Sequence, residues 1–319
     1  MAGAARLSAV GRRGPGFTIG RMTYGIREPE RTGRTAVSGG RHLGWAEWGP
    51  EDGAPVLFFS GAAMGRSLAF GADSLAPSAR GGVAARGVRL IAVERPGIGV
   101  SDPDPARTLD GWAADVAAFA AARGLGPAAA PAVGFSQGAP FALACAAAGV
   151  VPAVAVVSGQ DDLTHPAFAT LLDPYLRGML EAIAADPAGF AASFEPTADA
   201  EGLWKLIVST SSDTDRAIYT DPAFEPRYRR CLDEGFAQGP AGYVRDLVLA
   251  MSPWPFAVED IRVPVHLWYG GRDASTVHSP DHGATLAARI PTARHHLLPE
   301  AGGSLLWTHA AAILTGLLG

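Results

Sequence analysis

The stretch AVGFSQGAPFALA constrains this chain more than any other feature. An apolar strand runs into Gly134-Phe135-Ser136-Gln137-Gly138, and an alanine-rich helix leaves it. A serine at such a junction sits in a strained turn with its hydroxyl exposed above a sheet. Glycines two residues before and two after let the strand and helix pack closely. The Gln137 N–H, at the start of the helix, points where a developing oxyanion would sit. With 40 glycines in 319 residues the pentapeptide alone is weak. Its strand-turn-helix context supplies the specificity.

The surrounding pattern fits such a sheet. VLFFS (56–60), LIAVE (90–94), AVGF (132–135) and VAVVS (154–158) are short apolar runs bounded by Gly or Pro, as in buried parallel strands. LDGWAADVAAFAAARG (109–124) is helical, with Trp112, Val116 and Phe119 on one face. Strands return at VHLWYG (265–270) and HHLLP (295–299), and SLLWTHAAAILTGLL (304–318) closes the chain as a helix. Alternating strands and helices predict an α/β fold, a mostly parallel doubly wound sheet. Residues 162–257 lack strong strands and read as an inserted helical cap, with the core divided into 36–161 and 258–319. Residues 1–35, rich in Gly and Arg without a period, read as a loosely ordered tail. Trp204, Tyr219, Tyr228, Trp254 and Phe256 in the insertion read as helix-contact core, with some left to line an apolar pocket.

Composition narrows the function. A formal charge of -5 and no Lys/Arg-rich run argue against nucleic-acid or anionic-membrane partners. The apolar run 142–159 is broken by Gly149 and Pro152, so helix, turn and buried strand fit it better than a membrane span. No apolar h-region follows the twin arginine near the N-terminus, which predicts a cytoplasmic location. Cys145 and Cys231 are too few for a zinc site and read as structural. Neither a metal nor an organic cofactor is implied, and the expected partner is a small-molecule substrate or ligand.

Together these marks resemble the α/β-hydrolase superfamily from about residue 36 to the end of the chain. ERPGIGVSD (94–102) is similar to that family's turn motif, with Glu94 in place of Asp. The resemblance implies Ser136 as nucleophile and Asp273, in YGGRDAS after VHLWYG, as the catalytic acid. A carboxylate at the carboxyl edge of a late strand can orient an imidazole above the elbow. Asp161 and Asp162 lie in the family's other acid region. The oxyanion donors would be the N–H groups of Ala62 and Gln137. The loop Ser60-Gly61-Ala62-Ala63-Met64 keeps the glycine but lacks the usual His and Pro.

The resemblance also implies a base in a Pro-x-x-Gly-His loop after the last strand. This chain reads Pro299-Glu300-Ala301-Gly302-Gly303, so Gly303 stands where the imidazole belongs. His295 and His296 lie in the strand, roughly 10 Å below its end at about 3.3 Å per residue. His309 lies about 9 Å along the closing helix. His278 and His282 follow Asp273 in its own loop, so geometry does not exclude them, and His278 is the candidate for a substitute base. A base histidine is worth on the order of 10⁶ in kcat, or about 8 kcal/mol. Three readings follow: a serine hydrolase of small esters or related acyl bonds, impaired by the glycine at 303; a degenerate ligand-binding relative; or a non-hydrolytic biosynthetic enzyme on the same fold.

Overall fold

The computed structural model describes residues 27–70, 87–128 and 130–319. The strands are β1 (Arg31–Ala36), β2 (His42–Trp48), β3 (Ala54–Phe59), β4 (Val88–Val93), β5 (Ala132–Phe135), β6 (Val154–Val157), β7 (Val265–Gly270) and β8 (Ala293–Leu298). They form one eight-stranded sheet in the order β1-β2-β4-β3-β5-β6-β7-β8. The β1–β2 and β2–β4 pairs are antiparallel, and every later pair, from β4–β3 to β7–β8, is parallel.

Strand β1 corrects the expected tail. Residues 1–26 of that tail lie outside the described residues, but Arg31–Ala36 pairs along its whole length with β2. Its sequence RTGRTA has no apolar periodicity because it is a polar edge strand, held by backbone pairing and by the cross-strand pair of Arg31 with Glu47 at 3.0 Å.

Helices α1 (Leu109–Ala122) and α2 (Gly138–Ala147) cover one sheet face. Side chains alternate across the strands. In β3, Leu57 and Phe59 join the α1–α2 core, while Val56 and Phe58 join a second core on the opposite face. Between β6 and β7 the chain forms α3 (Pro174–Ala185), α4 (Pro187–Phe194), α5 (Ala200–Thr210), α6 (Asp213–Tyr219), α7 (Glu225–Gly235) and α8 (Ala241–Met251). These lie within the expected insertion. Asp173, Asp186, Asp199 and Ser212 each accept from a first-turn backbone N–H, which starts α3, α4, α5 and α6. Leu203, Tyr228 and Val244, from α5, α7 and α8, share the second core with Val56 and Phe58. After β7 come α9 (Ala284–Arg289), α10 (Leu305–Thr308) and α11 (Ala310–Leu318), the last two completing that core. Trp254 and Phe256 stack on each other at 5.6 Å and pack with the first core, where the Trp254 indole N–H donates to Ala250 O of α8 at 3.2 Å. Both cysteines are free and buried. Among the described residues no helix is long and apolar enough to cross a membrane.

Candidate active site

Strand β5 ends at Phe135, and Ser136 adopts φ 50°, a left-handed conformation costly for any residue with a Cβ. The strain is held in place from several sides. Ser136 N–H donates to Val157 O at 3.1 Å, and Ser136 O accepts from Gln160 and Ala139 N–H. The flanking glycines are required by contact: a Cβ on Gly138 would lie 2.1 Å from Phe59 O, and one on Gly134 would lie 2.8 Å from Ala142 Cβ. The hydroxyl therefore stands at the carboxyl edge of the sheet, as the pentapeptide predicts.

Asp273 lies just past β7, buried, with its N–H donating to Gly270 O at 3.1 Å. A turn in which His278 N–H donates to Ser275 O brings the His278 ring back over this carboxylate. His278 Nδ1 lies 2.7 Å from Asp273 Oδ2, and its Nε2 lies 2.9 Å from Ser136 Oγ. One imidazole thus bridges acid and hydroxyl. The neighbouring residue pins the loop: Ser279 N–H donates to Gly159 O, and its hydroxyl lies within hydrogen-bond reach of Asp161 and Asp281.

Gly303 is adjacent to this array, and the glycine pair has a structural reason. The loops after β7 and β8 pack backbone to backbone, Arg272 N–H donating to Ala301 O and Gly271 N–H to Leu298 O. A Cβ on Gly303 would lie 2.9 Å from both Asp273 carboxylate oxygens, and one on Gly302 would lie 2.3 Å from both Asp215 oxygens. Asp215, buried on α6, accepts from Gly303 and Ser304 N–H at 2.8 and 2.9 Å and from the Ser212 hydroxyl at 2.8 Å. The glycines admit two carboxyl groups, one from the insertion and one from the β7 loop. The expectation of a site without an imidazole, drawn from the glycine at 303, does not match this geometry: the ring comes from the Asp273 loop instead.

The Ala62 and Gln137 N–H groups stand at the same cavity as Ser136, and among the described residues no backbone carbonyl accepts from either. The Ser60 hydroxyl donates to Met64 O at 2.9 Å and closes the Ala62 loop. Arg95, buried within ERPGIGVSD, donates to Ser60 O and Gly61 O at 2.7 and 2.9 Å and to Asp246 of α8 at 2.6 Å. Arg107 binds the other Asp246 oxygen at 2.5 Å. This buried network ties the Ala62 loop to the inserted helices. Asp246→Ala would strand two buried guanidinium groups and is expected to destabilise the fold by about 3–5 kcal/mol, read from urea unfolding. A loss under about 1 kcal/mol would mean the network is not structural.

A family model described as "Alpha/beta hydrolase family" matches residues 56–314. The chain belongs to that family. Solved structures similar in fold include an esterase from Rhodococcus sp. ECU1013, at 18% identity and TM-score 0.59 over 90% of this chain and 99% of that one. An esterase from Thermogutta terrifontis gives 18% and 0.59 over 89% and 96%. An enol-lactonase from Burkholderia xenovorans LB400 gives 16% and 0.59 over 89% and 98%. No functionally curated protein matches the chain significantly.

In this α/β-hydrolase the remaining candidates stand apart from Ser136. His295 Nε2 meets His282 O at 2.7 Å, His296 stacks on Trp268 at 3.9 Å, and His309 meets the Thr308 hydroxyl. Asp162 pairs with Arg289. Asp161 is fully buried and bonded to Ser279, not to an imidazole, and burial pushes its carboxyl up to about 7. Sequence reasoning missed Asp215, Asp246 and the anchoring role of Arg95. Only Arg95 carried a signal, as part of the ERPGIGVSD motif.

Proposed function

We propose that the chain is a serine hydrolase of small, uncharged esters, with Ser136 as nucleophile, His278 as general base and Asp273 as the acid that orients it. The bridging ring of His278 carries this reading. A proton on Nδ1, facing the Asp273 carboxylate, leaves the Nε2 lone pair toward the Ser136 hydroxyl. As Ser136 Oγ attacks the ester carbonyl, Nε2 takes its proton, and the oxyanion is met by the Ala62 and Gln137 N–H groups. The leaving alkoxide takes the proton from Nε2 as the C–O bond breaks. Water then repeats the sequence on the acyl-serine and frees the acid. The binding-only reading required that no imidazole reach Ser136, and the 2.9 Å approach weighs against it.

The reaction would occur in a cavity beneath α5–α8. Its walls are largely apolar, with Phe135, Leu203, Ile207, Leu247 and Met251 among them. Asp215 and Asp273 line it, and among the described residues lining it there is no Lys or Arg. An anionic substrate would lose hydration and gain no countercharge. The p-nitrophenyl ester of octanoate is therefore expected to exceed the half-ester of suberate by about 100-fold in kcat/KM. Equal values would refute the neutral-substrate assignment. Ester turnover abolished by Ser136→Ala is the expected result for the reaction itself; turnover that survives this change would overturn it.

A further inference from the structure

Tyr219 of α6, Tyr228 of α7 and Tyr243 of α8 all line this cavity. Each is more than nine-tenths buried, at 5%, 4% and 7% exposure. Among the described residues none of their hydroxyls has a hydrogen-bond partner, whereas the buried Tyr269 hydroxyl donates to Gly159 O at 3.1 Å. The rings themselves are well packed. Tyr219 and Tyr228 meet edge to face at 5.4 Å, and Tyr243 packs against Phe236 at 5.5 Å. Phenylalanine would make the same ring contacts, so packing does not account for the three hydroxyls. Burial raises all three phenol pKa values, and nearby Asp215 raises those of Tyr219 and Tyr228 further, which keeps the hydroxyls protonated as donors.

We propose that Tyr219, Tyr228 and Tyr243 form a specificity wall that donates hydrogen bonds to neutral oxygens, ether or carbonyl, on the body of the substrate. The preferred substrate is then an oxygenated, uncharged ester and not a plain fatty ester. Anionic acceptors are disfavoured by Asp215 and Asp273 on the same cavity. This inference rests on the serine-hydrolase reading above. A site built to hydrogen-bond a substrate discriminates strongly against the isostere lacking that group, because its own donors are then left unpaired.

The test compares p-nitrophenyl 4-methoxybutanoate with p-nitrophenyl hexanoate, chains of equal length, each rate divided by its hydroxide-catalysed rate. The unaltered protein is expected to favour the methoxy ester by about tenfold or more in kcat/KM. Tyr219→Phe, Tyr228→Phe and Tyr243→Phe should each reduce that ratio, and the triple variant should bring it to about one, the loss falling on the methoxy ester. A ratio near one in the unaltered protein, or one unchanged in the triple variant, would overturn the proposal. Hexanoate turnover that depends on Ser136 would leave the hydrolase reading standing in that case. If neither ester is turned over, the hydrolase reading fails, and calorimetry on Ser136→Ala with 4-methoxybutyranilide and hexananilide decides recognition by itself. Tighter binding of the methoxy compound, lost in the triple Phe background, supports the wall; equal binding refutes it.

Discussion

Replacing His278 by alanine is expected to lower kcat on a p-nitrophenyl ester by about 10⁶, to the level left by Ser136→Ala. The double replacement should cost no more than either single one, because hydroxyl and imidazole act as one unit. Residual turnover would reflect the cavity and the Ala62 and Gln137 N–H groups, which in the proposed reaction meet the oxyanion without help from a base. The control is built into the sequence. His295, His296 and His309 are engaged with a backbone carbonyl, a tryptophan face and a neighbouring threonine, and their alanine variants should keep kcat essentially unchanged. His278 is largely buried, so a thermal melt of its variant must accompany the kinetics. A folded His278→Ala protein with near-normal turnover would remove His278 from the reaction.

The sequence shows the place of Ser136 in the fold more directly than that of the His278 ring, and the reason is locality. The elbow is readable within five residues: Gly134 packs on the helix that follows it and Ser136 takes its positive φ between strand and helix, while Gly138 meets the distant Phe59 O of β3. Asp273 is legible because it follows β7 directly, at the edge where such sheets place their chemistry. His278 depends instead on the path of a loop. The turn from Ser275 O to His278 N, the Ser275 N–H donating to Asp273, and the anchoring of Ser279 on Asp161 and Gly159 fold its ring back over Asp273. Spacing alone leaves that ring free to point elsewhere. Asp215 is further from legibility, because its partners are backbone N–H groups nearly ninety positions away. Strand β1 escaped for another reason: a polar edge strand pairs through backbone and carries no apolar signature.

Gly303→His is expected to lower activity, although it would restore the histidine the family usually carries in that loop. A Cβ at 303 would stand 2.9 Å from both Asp273 oxygens, and the ring beyond it needs more room still. The carboxylate must shift, and the 2.7 Å contact with His278 Nδ1 goes with it. Displacements near 1 Å in such an array cost about 10²-fold in kcat. Asp273→Asn, which keeps the shape but favours the wrong imidazole tautomer, sets the lower bound at a loss of about 10⁴. Measured together, the two variants separate an acid that has been moved from one that has been lost. A rise of several orders of magnitude in Gly303→His would have the opposite meaning: position 303 would be the working base site, and the His278 bridge incidental. In the geometry proposed here the glycine is no gap in the machinery, because its missing side chain is the space that Asp273 uses to reach His278.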